Sequence, residues 1–344
     1  MTWKIKTSGL VGPSRRTFLR AGAGLGAAAL ASPYIIGSAR AQSPVAGKTI
    51  GFSQSYATDE WLRVQRQDVM SVAKAKGLEV IATDARESPA QEIRNLEDLA
   101  TRGVDAVIMI TYYPDAIGPG IEALSSRGIP IIVMSSALNE GQEFAAHLAA
   151  DTYGTAQKAG AYYIDALGGS GKCVHIMGRP GSLVSQARGN GWKDALAKMP
   201  EIEIVAEGIA NYSRSEALTM MEDFLRSNSR IDAVYCHNDN MAKGALQAIE
   251  EAGRQEEMFI TGFDGIAVET FQLIKEGRLR GTFVYPTFGG EAVEVASRVL
   301  QGQEVPKEIV FPSPMINQDN IDEFYNAETK ERLVPEVDLE SLGL

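Results

Sequence analysis

Short apolar runs alternate with amphipathic stretches almost from one end of this chain to the other, and no other feature narrows its fold as much. The runs with strand character are Thr49–Gln54, Glu79–Thr83, Ala106–Ile110, Pro130–Met134 and Phe144–Ala149, then Cys173–Met177, Ile202–Ala206, Ala233–Cys236, Phe259–Gly262 and Gly281–Val284. Helical periodicity fills the intervals, and several helical stretches stop at glycine (Gly77, Gly103, Gly128, Gly253, Gly277, Gly302), where a left-handed residue ends a helix at low cost. Strand–helix alternation of this kind gives parallel sheets with helices on both faces. There are too many strands for one comfortable sheet, and the pattern divides near Asp151–Thr152. The expected fold class is α/β: two doubly wound parallel-sheet lobes.

Open α/β sheets bind ligands at the carboxyl ends of their strands. Those ends read Ser55-Tyr56, Asp84, Tyr112-Tyr113, Ser135-Ser136, Asp151, Arg179, Asn211-Tyr212, Asn238-Asp239, Asp264 and Tyr285. Hydroxyls, amides, carboxylates and rings recur at one topological position, which points to a polar cleft between the lobes. Each residue taken alone is as readily a helix cap or a loop residue.

The first 41 residues carry six basic residues and no acidic one. "SRRTFLR" precedes a Gly/Ala-rich apolar run and then Ala39-Arg40-Ala41. The segment resembles a twin-arginine export signal, which implies cleavage after Ala41 and a periplasmic product. The apolar run falls short of the roughly 20 residues needed to span a bilayer. The remainder is strongly acidic, with 27 basic against 44 acidic residues, so a nucleic-acid partner is not expected. The "GAGLGA" of the leader has no strand before it and is not a dinucleotide site. Cys173 and Cys236 lie at opposite ends of their strands and are expected to be free thiols.

Catalytic chemistry is sparse. His147 and His175 fall within strands, and His237 ends one without a matched nucleophile motif. No G-x-S-x-G or H-E-x-x-H motif is present, and the cysteines lack metal-ligand spacing. No enzyme, no metal and no cofactor are expected; an exported enzyme acting on a small polyhydroxylated substrate is the alternative from another class. Binding suits the inventory better. Planar Asp, Asn and Arg groups each engage two hydroxyls, and aromatic rings cover C–H faces.

The segments "TIGFSQSYATDEWLRVQRQDV", "IPIIVMSS", "LAADTYGTAQKAG", "SQARGNGW", "AVYCHNDNMAKGALQAIEEAG" and "ITGFDG" resemble, in order, the ribose-binding protein family. These are type I periplasmic receptors that feed ABC sugar importers. The resemblance implies two lobes joined by a three-strand hinge that closes on a sugar or polyol, a permease as partner, and a monomer. It assigns ligand contacts to Ser55, Asp59, Trp61, Ser135 and Ser136 in the first lobe. In the second it assigns Arg188, Tyr212, Asn238 and Asp264, with Tyr285 at a lobe crossing. Asp59 stands where the family usually has Asn, Leu62 where it has a second ring, and Tyr285 where it has Gln. Ser135-Ser136 replaces an Asp-Arg pair that reads the anomeric end of a sugar, which points away from ribose. Presentation of the ligand to a chemoreceptor or sensor kinase is the alternative role.

The expected organisation is a signal at 1–41, a first lobe of 47–151 plus 286–312, and a second lobe of 152–285 plus 313–344. Hinge residues are Asp151, Thr152 and Pro286. In the tail, "IDEFYNAETKERL" is expected to form a helix packed on one lobe.

Overall fold

The computed structural model describes residues 43–333 and 339–343. The proposed signal and its cleavage site lie outside the described residues. The chain folds as β1 (Thr49–Gln54), α1 (Glu60–Lys76), β2 (Glu79–Asp84), α2 (Pro89–Arg102), β3 (Ala106–Ile110), α3 (Gly118–Ser125), β4 (Ile131–Met134) and β5 (Ala146–Ala150). It continues as α4 (Thr152–Ala166), β6 (Gly171–Met177), α5 (Leu183–Leu196), β7 (Ile202–Ile209), α6 (Arg214–Ser227), β8 (Ala233–Cys236), α7 (Asp239–Glu251), β9 (Phe259–Asp264), α8 (Val268–Lys275) and β10 (Gly281–Val284). Then come α9 (Gly289–Leu300), β11 (Glu308–Phe311), β12 (Met315–Asn317), β13 (Tyr325–Asn326) and β14 (Glu331–Arg332).

Two six-stranded sheets form two lobes, in the orders β11-β5-β4-β3-β1-β2 and β12-β10-β9-β8-β6-β7. All pairings within them are parallel except β10 with β12. Strands β3, β4 and β8 are buried along their whole length, because helices cover both sheet faces. The chain passes between sheets three times: after β5, between β10 and β11, and between β11 and β12. Each lobe therefore has its own cores, while Tyr285, Phe288 and Phe311 bring the crossing segments into the first. Cys173 pairs in register with Ala233 and Cys236 with Ile176, so the two buried free thiols are offset along neighbouring strands.

Helix starts sit where strands end, and side chains cap them. Asp59, Ser88, Asp151, Ser182, Ser213 and Asn238 each accept a first-turn backbone N–H. Close approach of α4 and α5 requires glycine: a Cβ on Gly160 would lie 2.4 Å from that of Ala195, and one on Gly191 would lie 2.5 Å from the Tyr153 carbonyl oxygen.

The tail differs from expectation. Ile321–Glu323 forms a single 3₁₀ turn, followed by the β13–β14 hairpin. The Asn326 carboxamide accepts the N–H groups of Glu328 and Thr329 at 2.9 and 3.1 Å, and Lys330 has φ 56°, so the backbone turns where helical periodicity would continue it. Nor does the tail keep to one lobe. Ile321, Phe324 and Tyr325 enter the second-lobe core, whereas Leu339 and Leu342 pack against the first.

Beneath the first sheet's carboxyl edge, the Ser55 hydroxyl donates to Glu92 Oε2 at 2.7 Å and accepts the Tyr112 N–H at 2.9 Å. Glu92 is fully buried, and its Oε1 has no partner among the described residues. Burial pushes its pKa up to about 7, against the pull of the Ser55 hydroxyl. A raised carboxyl pKa stabilises the fold in acid, and that contribution disappears as pH rises through the folded value. Glu92→Gln should therefore be more stable than the parent at pH 8, by roughly 2 kcal/mol, and near neutral in effect at pH 4.5. Urea unfolding at the two pH values checks this; an equal difference at both would contradict it.

Candidate functional site

The carboxyl edges of the two sheets face each other across a narrow cleft. Asp59, Trp61, Tyr112 and Ser135 line it from the first lobe, Ser182, Val184, Arg188, Tyr212, Asn238 and Asp264 from the second, and Tyr285 from a crossing. Three of these residues, Ser135 (φ 70°), Tyr212 (φ 64°) and Asp264 (φ 115°), hold left-handed backbone conformations that cost a non-glycine residue energy. Their coincidence at one cleft is a mark of function that the sequence does not display.

Arg188 is the centre of the arrangement. It rises from the second turn of α5 and is 2% exposed. Its guanidinium carbon lies 4.4 Å from the centroid of the Phe263 ring and 4.8 Å from that of Tyr285. Nη1 donates to the His237 carbonyl, and Nη2 reaches Asp264 Oδ1 at 3.4 Å. Nε has no partner among the described residues. Burial drives the Asp264 carboxyl well above its usual range, opposed by Arg188 and reinforced by Asp239, Asp59 and Glu60.

The remaining groups are held by the protein on one side and open on the other. Asn238 caps α7: its Oδ1 accepts the Met241 N–H at 2.9 Å and its Nδ2 donates to the Tyr212 carbonyl at 3.4 Å, leaving a second amide hydrogen. Asp59 caps α1 through Leu62 N–H at 2.7 Å, and burial raises its pKa despite that bond. Trp61 Nε1 donates to the Tyr285 carbonyl at 3.0 Å, so the indole presents its ring and not its N–H. The Tyr285 hydroxyl meets Ser135 Oγ at 2.8 Å. Burial keeps Tyr112, Tyr212 and Tyr285 protonated by raising their pKa values.

Two ion pairs join the lobes beside the cleft. Arg179 Nη1 lies 2.9 Å from Glu87 Oε1 and its guanidinium covers the Tyr56 ring at 4.8 Å. Lys243 Nζ lies 2.8 Å from Glu60 and 3.2 Å from Glu269.

Of the residues expected from sequence, Asp59, Trp61, Ser135, Arg188, Tyr212, Asn238, Asp264 and Tyr285 line the cleft. Ser55 does not: it is fully buried, with its hydroxyl committed to Glu92 and Tyr112. Ser136 is not a lining residue either; it follows the left-handed Ser135 in the bend after β4, and only Ser135 of the two lines the cleft. Asp151 caps α4 at the first crossing, Thr152 Oγ1 donates to the Ala150 carbonyl at 3.3 Å, and Pro286 follows β10 at the second. Tyr112, Ser182 and Val184 were not foreseen as contacts. Tyr112 ends a strand and was visible as such, Ser182 reads as a cap, and Val184 carries no signal. Among the described residues no group of three or more His, Cys, Asp or Glu is placed to hold a metal ion, and no helix is long and apolar enough to cross a membrane.

Residues 50–304 match the family model described as a periplasmic binding protein domain. The chain is 31% identical over 270 residues to a xylitol-binding protein of Mycolicibacterium smegmatis, covering 78% of this chain and 76% of that one. It is 29% identical to the ribose import binding protein of Bacillus subtilis, covering 78% and 87%. Among solved structures, an ABC transporter solute binding protein from Bacillus halodurans with bound myo-inositol superimposes with a TM-score of 0.75 at 26% identity, covering 83% of this chain and 99% of that one.

Because Asn238 both lines the cleft and caps α7, its removal should be felt without any ligand. Asn238→Ala should lower the unfolding free energy by about 1 kcal/mol, the usual worth of an N-cap. Chemical denaturation of the ligand-free protein measures it, and an unchanged midpoint would show that the cap contributes nothing.

Proposed function

The chain belongs to the family built on the periplasmic binding protein domain, and from that premise we propose that it is a periplasmic receptor that captures a sugar, polyol or related small polar solute and delivers it to an ABC importer. The observation that carries the reading is the buried Arg188 in a cleft lined by polar groups from both lobes, its Nε without a partner among the described residues. A hydroxyl oxygen arriving from between the lobes supplies what that donor lacks. Xylitol, ribose and myo-inositol, named for the relatives, are neutral polyhydroxylated molecules, and the cleft's inventory of amide, carboxyl, phenol and ring suits that class. The product acts by binding, not turnover, and works as a monomer with a membrane permease as its partner.

The mechanism is hinge closure. Segments near Asp151–Thr152, Pro286 and 312–314 act as the hinge. A ligand touching both lobes favours the closed form by its differential affinity for that state. The Arg179–Glu87 and Lys243–Glu60 pairs form only when the lobes meet, so they add to closure without touching the ligand. The permease reads the closed shape. Export through the twin-arginine route places the receptor in the periplasm.

Charge narrows the solute. Among the described residues Arg188 is the only cation lining the cleft, with Asp264 beside it and Asp59 on the other lobe, and Ser135-Ser136 stands where the resemblance to the ribose-binding proteins expects an Asp-Arg pair that reads a simple aldose. The preferred solute is neutral or carries an ammonium group and is bulkier than ribose at that end. In a calorimetric panel of ribose, xylitol, myo-inositol, an amino sugar and a uronic acid, a polyol or amino sugar should rank first and the uronic acid last. Asp264→Asn should weaken the best of them at least tenfold, about 1.4 kcal/mol. Ribose or the uronic acid in first place would overturn the specificity, and turnover of a bound member would overturn the receptor reading.

A further inference from the structure

His147 is 6% exposed and does not line the cleft, yet both of its ring nitrogens are engaged. It lies on β5, in register with Val133 on β4 and with Glu308 on β11. From that position Nε2 lies 2.9 Å from the Ser135 carbonyl oxygen, and Nδ1 lies 2.7 Å from Glu308 Oε2. A carbonyl oxygen can only accept, so Nε2 carries a hydrogen and donates it to Ser135. A ring nitrogen and a carboxyl oxygen at the second distance need a hydrogen between them, so Glu308 fixes the ring from its other side.

Ser135 is a residue that needs such support. At φ 70° it holds a left-handed conformation, which persists only where the surroundings enforce it. Two bonds to β5 do so: its N–H donates to the Leu148 carbonyl at 2.8 Å, and its carbonyl accepts from His147. In that turn the Ser135 hydroxyl meets the Tyr285 hydroxyl at 2.8 Å. Tyr285 is thereby held by the first lobe at both ends, because its carbonyl accepts from Trp61 Nε1, and its ring lies against the second-lobe Arg188 guanidinium.

We propose that His147, steadied by Glu308, is a positioning residue for the cleft: it holds Ser135 in its left-handed turn, Ser135 braces Tyr285 over Arg188, and affinity for the solute rises without His147 touching it. The consequence for affinity rests on the receptor reading; the brace does not. Glu308 opens β11, the edge strand that runs into the last crossing between the lobes. The same histidine therefore ties a cleft residue to a strand that leads into the hinge.

Crystal structures of His147→Leu and His147→Gln test the brace. Leucine fills the space and donates nothing, so Ser135 should leave the left-handed region and its contact with Tyr285 should be lost. Glutamine can donate to the same carbonyl and should keep both. An unmoved Ser135 in the leucine variant would overturn the brace, whatever the protein binds. Calorimetry with xylitol, myo-inositol and glucosamine tests the consequence. The best bound of the three should bind about tenfold more weakly to His147→Leu, a loss of the size of one hydrogen bond, and nearly as well as to the parent in His147→Gln. Glu308→Ala removes a half-exposed group at a sheet edge, which the fold tolerates, and should weaken binding by about threefold. The effect must pass through Ser135. In a Ser135→Gly background, where glycine adopts the turn unaided and no hydroxyl remains to be placed, His147→Leu should cost little further. An equal cost in both backgrounds, or equal affinity of the leucine variant and the parent, would overturn the positioning role. Failure of the parent to bind any of the three compounds would overturn the receptor reading and the consequence for affinity with it, while the two crystal structures decide the brace.

Discussion

A guanidinium removed from water at the meeting point of two lobes is the constraint on which the rest of this structure depends. Taking such a charge out of water costs several kcal/mol unless its surroundings compensate. Here the compensation is distributed: Asp264 beside it, the His237 carbonyl on one nitrogen, and the Phe263 and Tyr285 rings on its faces. Tyr285 belongs to a crossing segment and is itself held by Trp61 and Ser135 of the first lobe. The first lobe therefore rests on the second-lobe arginine through one tyrosine. A guanidinium has five N–H donors, and the Nε of this one has no partner among the described residues.

The cost of building this centre shows in the backbone. Asp264, Tyr212 and Ser135 each hold a left-handed conformation at the end of a strand or of the loop after it. Such conformations persist only where packing enforces them. Asp264 follows the buried run of β9, and Asp239, one residue into α7, accepts the Gly265 N–H just after it at 2.9 Å. A cap-region residue of one helix thus fixes the turn that presents the Asp264 carboxyl to the cleft from the next strand.

Much of the fold was legible because strands buried on both faces must be apolar, and this chain writes them as such between clear helical stretches. The short β11 and β12 escaped that reading; β11 alternates buried and exposed positions at a sheet edge and lacks the continuous apolar signature. The tail was misread because a helical spacing of apolar residues outweighed the turn chemistry of Asn326. In the cleft, strand-end position revealed which residues are candidates but not which way each one faces: Ser55 and Ser135 read alike, and one is tied to a buried carboxyl while the other reaches Tyr285. Asn238 and Asp59 could be caps or ligand groups from sequence, and they are cap residues that also line the cleft. The His175–His237 pair was invisible, since two residues far apart in sequence meet only through the β6–β8 register.

The central claim is that this cleft holds a neutral or ammonium-bearing polyhydroxylated molecule. Its most direct test is mass spectrometry of the small molecule released when protein isolated from its own host is denatured. The account predicts one dominant species carrying several hydroxyl groups and no acid group, present at about one per chain. A carboxylated or phosphorylated molecule, or an apolar one, would contradict it.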